Sequence, residues 1–459
     1  MMQSQARPDT VIRSLRAGAS LCLLLLAGGC RTREPAPAPA LSHAPWEAAS
    51  RPDNVDSIAR DYVRVALALG ERDPDSLDFS VAPATVADEV KRAYASFDEI
   101  DGEAAALESR LQHLAFMKED QPRREFLRGQ LAAVRARVRM VRAGVYLDFD
   151  SEAAALFATT RLPDTDAEAA RRRAMRTEIL RQLPTTAAGK SEAIRYGAYD
   201  ARFLIPPEKL RAVMTAALDA CRQRTLEHIT LPAGESVDLT FVHRQPWSAF
   251  SRYRGDAHST ISLNLDYPIT VDDALELACH EGYPGHHVFN TLRDRTLRLG
   301  RGWPELEAQL TFSPQSYLSE AEAAYAPRLA FSTAERAQVE RDILFPLAGM
   351  KPAEAARYVA ISAAIRELSS AEPAIAREYL DGRLEYVRAD NRLSDEVLMA
   401  QPDASLLYMN EYRSYMLAYT DGPRRIAAAL PAASSTPEEQ KARWKAYEEL
   451  MTTLRTKLP

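Results

Sequence analysis

The segment "TVDDALELACHEGYPGHH", residues 270–287, combines a strong helix start with a cluster of histidines. Thr270 and Asp273 have the spacing of a capping box, which predicts that a helix begins directly after Thr270. Leu275 and Cys279 lie one helical turn apart and predict an apolar face that buries this helix. A buried helix must provide partners for the polar side chains that it carries, because an unpaired buried charge is costly.

His280 and Glu281 are the polar side chains that this helix would bury. They project about 100° apart on a helix, which suits one as a metal ligand and the other as a base for a water molecule. In the familiar zinc motif H-E-x-x-H the second histidine follows one helical turn after the first. Here Pro284 stands at that position, and the next histidines are His286 and His287.

The Pro-Gly pair at 284–285 explains how this longer spacing could still form a metal site. An unbroken helix would turn His286 about 240° away from His280 and would place His287 about 10.5 Å further along the axis. Proline removes a helical hydrogen bond and glycine permits unusual dihedrals, so the turn can widen and His286 can meet an ion that His280 holds. We therefore predict a site for one zinc ion.

Alternatives to this metal site stay open at the level of the sequence. Catalytic zinc commonly takes two histidines and a carboxylate, but the same side chains could instead pair with one another in a core. His287 could be a further ligand, could contact a ligand or the substrate, or could be a surface residue.

The stretch "HEGYPGHH" at 280–287 resembles the H-E-x-x-P-G-H-H signature of the bacterial domain of unknown function 885 family, which is similar to gluzincin metallopeptidases. The resemblance implies a large, mainly α-helical metallopeptidase-like fold whose third zinc ligand is a glutamate on a later helix. "EAEAAYAP" at 320–327 resembles the family's E-G-W-A-x-Y-A-E through Glu320 and Tyr325. Glu320 is therefore the expected third ligand, whereas Glu322, rotated about 200° on that helix, is expected in solvent.

Further residues are assigned to the site by weaker matches. "SYMLAY" at 414–419 resembles the family's S-Y-x-x-G, with alanine in place of the glycine. By this match Tyr415 is the expected donor to the negative charge that develops during amide hydrolysis, followed by Tyr412 and Arg413. The alternative for this tyrosine-rich helix is aromatic core packing. Asn264 also resembles a family position and could line the substrate cleft.

Two segments before the histidine helix predict a small antiparallel sheet. "SVDLTFVH" at 236–243 and "HSTISLNLDY" at 258–267 alternate polar and apolar residues and are rich in β-branched side chains. The edge of such a sheet can hold an extended peptide by main-chain hydrogen bonds. His258 would then line the cleft or would lie in a loop.

The N-terminus predicts export. "AGASLCLLLLAGGC" at 17–30 follows several arginines and is too short to span a bilayer, so residues 1–30 are read as a signal peptide. Its end resembles the lipobox of bacterial lipoproteins, which implies acylation of Cys30 and a membrane anchor. The Pro/Ala-rich residues 31–50 suit a tether. By resemblance to sorted lipoproteins, Arg31 favours the outer membrane, facing the periplasm or the outside.

Composition and cysteine content narrow the remaining possibilities. A net charge of −6 and a pI near 5.9 exclude the basic footprint of a nucleic-acid-binding protein. Cys221 and Cys279 are the cysteines beyond the lipobox, and two cysteines are too few for a framework of several disulfide bonds. A single bridge is possible, but the apolar surroundings expected for Cys279 favour a free thiol. No pattern indicates the oligomeric state.

The predicted organisation is an N-terminal helical region at 51–225 and a catalytic region at 226–459 with the sheet, the histidine helix and the Glu320 helix. The expected activity is zinc-dependent hydrolysis of a peptide bond, with Glu281 as the general base. Two alternatives are a non-catalytic zinc-binding or structural lipoprotein of the same fold and a zinc amidase that acts on cell-wall peptides.

Overall fold

A computed structural model of the chain describes residues 54–115, 117–184, 191–245, 247–432 and 436–458. The predicted signal peptide at 1–30, with Cys30, and the tether at 31–50 lie outside the described residues. The described part of the chain is mainly helical with small sheets, which confirms the predicted fold class. No helix in that part is long and apolar enough to cross a membrane.

Helices form most of the first half of the described chain. They are α1 (Val55–Arg72), α2 (Ala84–Ala93), α3 (Phe97–His113), α4 (Gln121–Ala143), α5 (Phe149–Phe157), α6 (Asp166–Gln182), α7 (Glu192–Asp200) and α8 (Pro207–Leu226). The apolar sides of α1, α3 and α4 pack into one core, while α5 and α8 contribute to a larger core that continues into the second half. The division predicted at residue 225 stays a prediction.

The second half contributes the helices that surround the histidine cluster. They are α9 (Val271–Leu277), α10 (His286–Arg293), α11 (Pro314–Ala330), α12 (Thr333–Val339), α13 (Phe345–Ala348), α14 (Ala355–Leu368), α15 (Glu372–Leu380), α16 (Tyr386–Val397), α17 (Pro402–Tyr412), α18 (Leu417–Ala429) and α19 (Pro437–Met451). Among them, α11 packs lengthwise against α18, and both belong to the larger core.

The strands form two sheets. They are β1 (Leu77–Ser80), β2 (Ser236–Val242), β3 (Ala249–Gly255), β4 (His258–Asn264) and β5 (Ala308–Leu310). β1 pairs antiparallel with β5, so a strand from the N-terminal region is joined to one that follows the histidine helix. The other sheet has the order β2-β4-β3, which leaves β3 at an edge.

The sheet beside the histidine helix differs from the antiparallel one that the sequence predicts. β3 and β4 form an antiparallel hairpin with Ser251 opposite Ile261, but β2 runs parallel to β4 with Leu239 opposite Ile261. The reason is that the segment between the two predicted strands is itself a strand. The chain reverses direction before this strand and again after it, so the flanking strands β2 and β4 point in the same direction.

The start and the end of α9 follow from local sequence. The predicted capping box is confirmed: the Thr270 N–H donates to Asp273 Oδ2 at 3.0 Å, and the Asp273 N–H donates to Thr270 Oγ1 at 3.2 Å. After Leu277 the helix widens into a π-type turn at Ala278–Gly282, and α10 begins at His286. The Tyr283–Pro284 peptide between them is cis.

Gly285 allows the chain to fold back onto that π-type turn. Its N–H donates to the Cys279 carbonyl at 3.0 Å, and a Cβ at this position would lie 1.8 Å from the carbonyl oxygen of His280. Any other residue would therefore clash with the backbone. This close approach sets the first residue of α10 beside the last turn of α9.

Cys221 of α8 and Cys279 of the π-type turn are both buried and form a disulfide bond, with 5.4 Å between their Cα atoms. The expectation of free thiols was wrong because it considered only the apolar face of one helix. α8 packs directly against the π-type turn, which brings the two cysteines together across 58 residues of sequence.

We predict that changing Cys221 and Cys279 together to alanine lowers the free energy of unfolding by about 2–4 kcal/mol, because the bond constrains a long loop in the unfolded chain. Denaturant unfolding of the wild type and the double variant measures this difference. Mass spectrometry of tryptic peptides should find the two cysteines linked before reduction. Alkylation of both thiols in the unreduced folded protein would contradict the bond.

Candidate metal centre

Three side chains from three helical segments converge at the break between α9 and α10. His280 comes from the π-type turn, His286 is the first residue of α10, and Glu320 lies in α11. The Nε2 atom of His280 is 2.8 Å from Glu320 Oε1, and that of His286 is 3.3 Å from Glu320 Oε2. One nitrogen or oxygen from each of the three residues lies within 4.8 Å of the others, which is the spacing of a metal-binding triad.

The electrostatics of this triad favour a cation. Burial opposes ionisation of Glu320, but the charges of His286 and His280 outweigh that cost and hold its pKa well below the usual range. Burial lowers the pKa of His286, yet its attraction to Glu320 prevails and raises it to about 9. A buried carboxylate that attracts a proton onto the imidazole of His286 would attract a metal ion in place of that proton.

Glu320 also has an oxygen without a normal hydrogen bond. Oε1 is buried and faces His280 Nε2, but the pair lacks hydrogen-bond geometry. A buried oxygen of this kind needs a partner. Two imidazole nitrogens and one carboxylate are a donor set that fits zinc and similar divalent ions. The residues present therefore fit a resident metal ion.

Neighbouring groups hold the three side chains in place. Ser319, one residue before Glu320, lies with its Oγ 3.3 Å from His286 Nδ1, which leaves Nε2 to face Glu320. Such contacts orient a histidine ring toward a metal. Ser313 caps the N-terminus of α11: it accepts from the Ser316 N–H, and Pro314 occupies the first turn.

His287 faces away from the triad. Its side chain is fully buried, with Nδ1 2.8 Å from Ser259 Oγ and Nε2 3.0 Å from Glu235 Oε2. The Tyr283 hydroxyl donates to the same Glu235 oxygen at 2.7 Å. With both nitrogens engaged, His287 anchors the start of α10 to β4 and to the loop before β2.

Glu235 is a residue that no sequence pattern singles out. Burial raises its pKa, but hydrogen bonds from His287, Tyr283 and Arg222 outweigh burial and lower it to about 2. It lies in the loop before β2, outside any motif, so only the fold reveals its contact with the histidine segment.

Glu281 lies beside the triad but is not part of it. Its side chain is 5% exposed, and it lines a cavity of about 260 Å³ together with His280, His286 and Glu320. Burial raises the pKa of its carboxyl, with His280 and His286 lowering it in part. The backbone of Ser251 in the edge strand β3 lies near this carboxylate and also lowers its pKa in part.

Tyr415 lies in the same cavity, here called the metal-side cavity. Its hydroxyl donates to Glu320 Oε2 at 3.2 Å and is 2.8 Å from Ser316 Oγ. Tyr412 also lines this cavity. Arg413 was expected there too, but its guanidinium binds Glu152 at 2.6 Å on α5 and lies outside the cavity lining.

His258 was predicted to lie in the cleft or in a loop and Asn264 in the cleft, but neither residue is in the lining of the cavity. His258 begins β4 and contacts Ser236 at 2.9 Å and Asp238 at 3.2 Å. Asn264 is fully buried and donates to the carbonyls of Gln245 and Trp247. Trp247 lines the cavity, so Asn264 supports the cleft wall from behind.

Several cavity residues were not anticipated from the sequence. Asp78 of β1 lines the metal-side cavity, accepts from Gln309 Nε2 at 2.7 Å, and has a pKa that burial raises to about 6. Tyr408 and Tyr419 complete the aromatic wall, where the Tyr419 ring lies parallel to that of His280 at 6.1 Å. Asp78 carries no local signal because it reaches the site through the pairing of β1 with β5.

Glu322 was expected in solvent but is 2% exposed. Burial raises its pKa to about 8, only partly offset by the charges of Arg293 and Arg455. The expectation failed because α11 is covered on more than one side: α18 packs against it at Ala321, and Tyr447 of α19 donates to the Glu322 carbonyl.

Comparison with known proteins gave distant structural similarities. No family model and no curated protein matches the chain. A candidate lipoprotein from Colwellia psychrerythraea is 14% identical, with TM-score 0.45 over 78% of this chain and 67% of that chain. A candidate lipoprotein of unknown function from Shewanella oneidensis is 11% identical, with TM-score 0.40 over 86% and 73%. An M32 carboxypeptidase from Deinococcus radiodurans R1 is 14% identical, with TM-score 0.41 over 88% and 92%.

We predict that His286→Ala loses the bound metal, whereas His287→Ala keeps about one ion per chain, since catalytic zinc sites use three protein ligands. His287→Ala should instead lower the free energy of unfolding by about 1–3 kcal/mol, because Glu235 and Ser259 lose a buried partner. Elemental analysis after dialysis and denaturant unfolding separate the two effects. Loss of metal in His287→Ala with retention in His286→Ala would contradict the placement.

Proposed function

We propose that this protein is a zinc-dependent hydrolase and that its reaction is the cleavage of peptide bonds. The observation that carries the proposal is the convergence of His280, His286 and Glu320 with a separate buried carboxylate, Glu281, on the wall of one cavity. A purely structural metal site is normally closed by four protein ligands. Three ligands beside a cavity and a candidate base are the arrangement of a catalytic site.

The residues of the chain supply the proton transfers. When bound, zinc would supply Lewis-acid chemistry, polarising a carbonyl and lowering the pKa of a water to about 7. Glu281 would accept a proton from the attacking water and deliver it to the leaving amine. Its position beside His280, without a place in the triad, leaves its carboxylate available for this transfer.

A second group would act on the oxygen of the scissile carbonyl. Tyr415 is 6% exposed and reaches Glu320 Oε2 with its hydroxyl, so it lies within hydrogen-bond distance of the triad. A hydroxyl at this place could donate to the negative charge that develops on the substrate oxygen. Ser316, on the other side of the hydroxyl, would hold the tyrosine in position.

The edge strand β3 suits the binding of an extended substrate. Its residues Ala249, Phe250 and Ser251 line the metal-side cavity, and β4 pairs with its other side. An extended peptide could add to this edge by main-chain hydrogen bonds, which would place its backbone beside Glu281. A backbone-binding edge favours a peptide as the substrate.

The altered segment at 320–327 does not remove the candidate ligand. Ala321 stands where the family pattern has glycine, and it packs against Gly422 of α18. A Cβ atom added to Gly422 would lie 2.6 Å from the Cβ atom of Ala321. The glycine that this helix contact needs is therefore supplied by α18.

We further propose that the protein is a lipoprotein anchored through Cys30 to the outer membrane, as residues 1–50 indicate.

We predict that Glu281→Gln retains zinc but lowers kcat by about 10²–10⁴-fold, because the amide cannot accept the proton. Glu411→Gln, an exposed change, is the matched control and should behave as wild type. Zinc content and cleavage of a mixed library of linear peptides and cell-wall muropeptides are measured for all three proteins. Cleavage of muropeptides alone would favour the zinc amidase. Bound zinc without cleavage of any substrate would favour the non-catalytic lipoprotein.

Tyr415→Phe is expected to lower kcat by about 10²-fold or more with little change in KM, since an oxyanion donor acts in the transition state. Tyr412→Phe removes a hydroxyl from the same cavity and serves as the control. Steady-state kinetics on one peptide measures both. Equal kcat values for the two variants would show that Tyr415 only packs in the aromatic wall.

A further inference from the structure

His280 and Glu281 also line a second cavity. This distal cavity has a volume of about 520 Å³, which is in the range of sites that hold a substrate group. Trp247, Ala249, Tyr408 and Tyr419 line both cavities, so the two adjoin. A substrate that lies across Glu281 would therefore extend into the distal cavity.

The walls of the distal cavity are mainly apolar. The apolar wall includes Leu277 at the end of α9, Met409 of α17, Met416 directly before α18 and Pro423 within α18. Such side chains pack well against the methylene groups of a long side chain, and methionine adapts to different shapes. The apolar walls alone would accept any large side chain, so selection depends on the charged groups.

Apart from Glu281, four charged residues line this cavity, and three of them have partners. Arg366 pairs with Asp272, Glu276 with Arg336 at 2.5 Å, and Arg328 with Glu367 at 3.1 Å; the fourth is Glu372. Within the described ranges, Glu372 has no ion-pair or hydrogen-bond partner. Apart from the proposed base Glu281, the distal cavity therefore presents one carboxyl group without a counterion.

Glu372 is the first residue of α15 and is partly buried. Burial raises the pKa of its carboxyl to about 7, which reflects the cost of a charge without a counterion at this place. A cationic group entering the cavity would remove that cost and form a charge-assisted hydrogen bond. An acidic group would meet like charge, and an apolar group would leave the carboxyl without a partner.

We propose that the distal cavity is a substrate subsite for a cationic side chain on an apolar stem, of the lysine or arginine class, and that Glu372 determines this specificity. The apolar walls would hold the stem and Glu372 the charged end. That the cavity binds part of a substrate rests on the proposed peptidase function. Binding of a lysine side chain to the cavity can be tested without turnover.

The test compares peptides that differ at one position, which carries lysine, norleucine or glutamate. The varied position is moved in turn to each residue on both sides of the scissile bond. Norleucine keeps the apolar stem and lacks the charge. At one position we expect wild type to show a kcat/KM for lysine about 10-fold or more above that for norleucine, as expected for a charge-assisted bond. Glutamate should be the poorest of the three.

Glu372→Gln should reduce the lysine to norleucine ratio to about 1–2 and leave kcat/KM for the norleucine peptide within about twofold of wild type. Glu372→Asp keeps the charge and should retain part of the preference. Glu378→Gln is the matched control, because it removes a partly exposed carboxylate from the same helix, one that pairs with Arg392. That control should keep the wild-type ratio.

Two results would overturn the subsite. One is that the wild type shows no preference for lysine at any scanned position. The other is that Glu372→Gln lowers kcat/KM for the lysine and the norleucine peptides equally. The second result would indicate that Glu372 only stabilises the start of α15, where an acidic residue favours the helix dipole.

Absence of cleavage of any peptide by zinc-loaded wild type would instead refute the peptidase proposal. Isothermal titration of the same lysine and norleucine peptides then tests the subsite by itself. Tighter binding of the lysine peptide to wild type, lost in Glu372→Gln, would support it. Equal binding of both peptides would overturn it.

Discussion

The close approach of the backbone at Gly285 to the last turn of the histidine helix is the constraint on which the site depends. The missing side chain lets this residue lie against the His280 carbonyl, where any Cβ would overlap with it. The chain can then start α10 directly beside the π-type turn, so that His280 and His286 face one carboxylate. Without that contact the two histidines would point to different sides of a continuous helix.

The buried surroundings hold this turn in place from several directions. His287 fastens the start of α10 through Glu235 and Ser259, and Ser319 contacts the ring of His286 from α11. The disulfide bond of Cys279 joins the turn to α8 directly before His280. These contacts come from different parts of the chain, and together they hold the triad in its arrangement.

The site occupies the meeting point of two cavities with different character. The metal-side cavity is polar and holds Asp78, Glu281 and Glu320, whereas the distal cavity is mainly apolar with Glu372 on its wall. The edge strand β3 and the tyrosines of α17 and α18 contribute to both. One continuous cleft therefore joins the proposed reacting groups to the proposed recognition group.

Local sequence determined the helix starts at Thr270 and Ser313 and the interruption before His286, because capping and glycine conformation depend on neighbouring residues. Resemblance to a family added Glu320. Only the tertiary structure decided the parallel pairing of β2, the disulfide bond, the role of His287 and the arrival of Asp78 and Glu372 at the cleft. Those features depend on contacts between residues far apart in sequence, which no local pattern encodes.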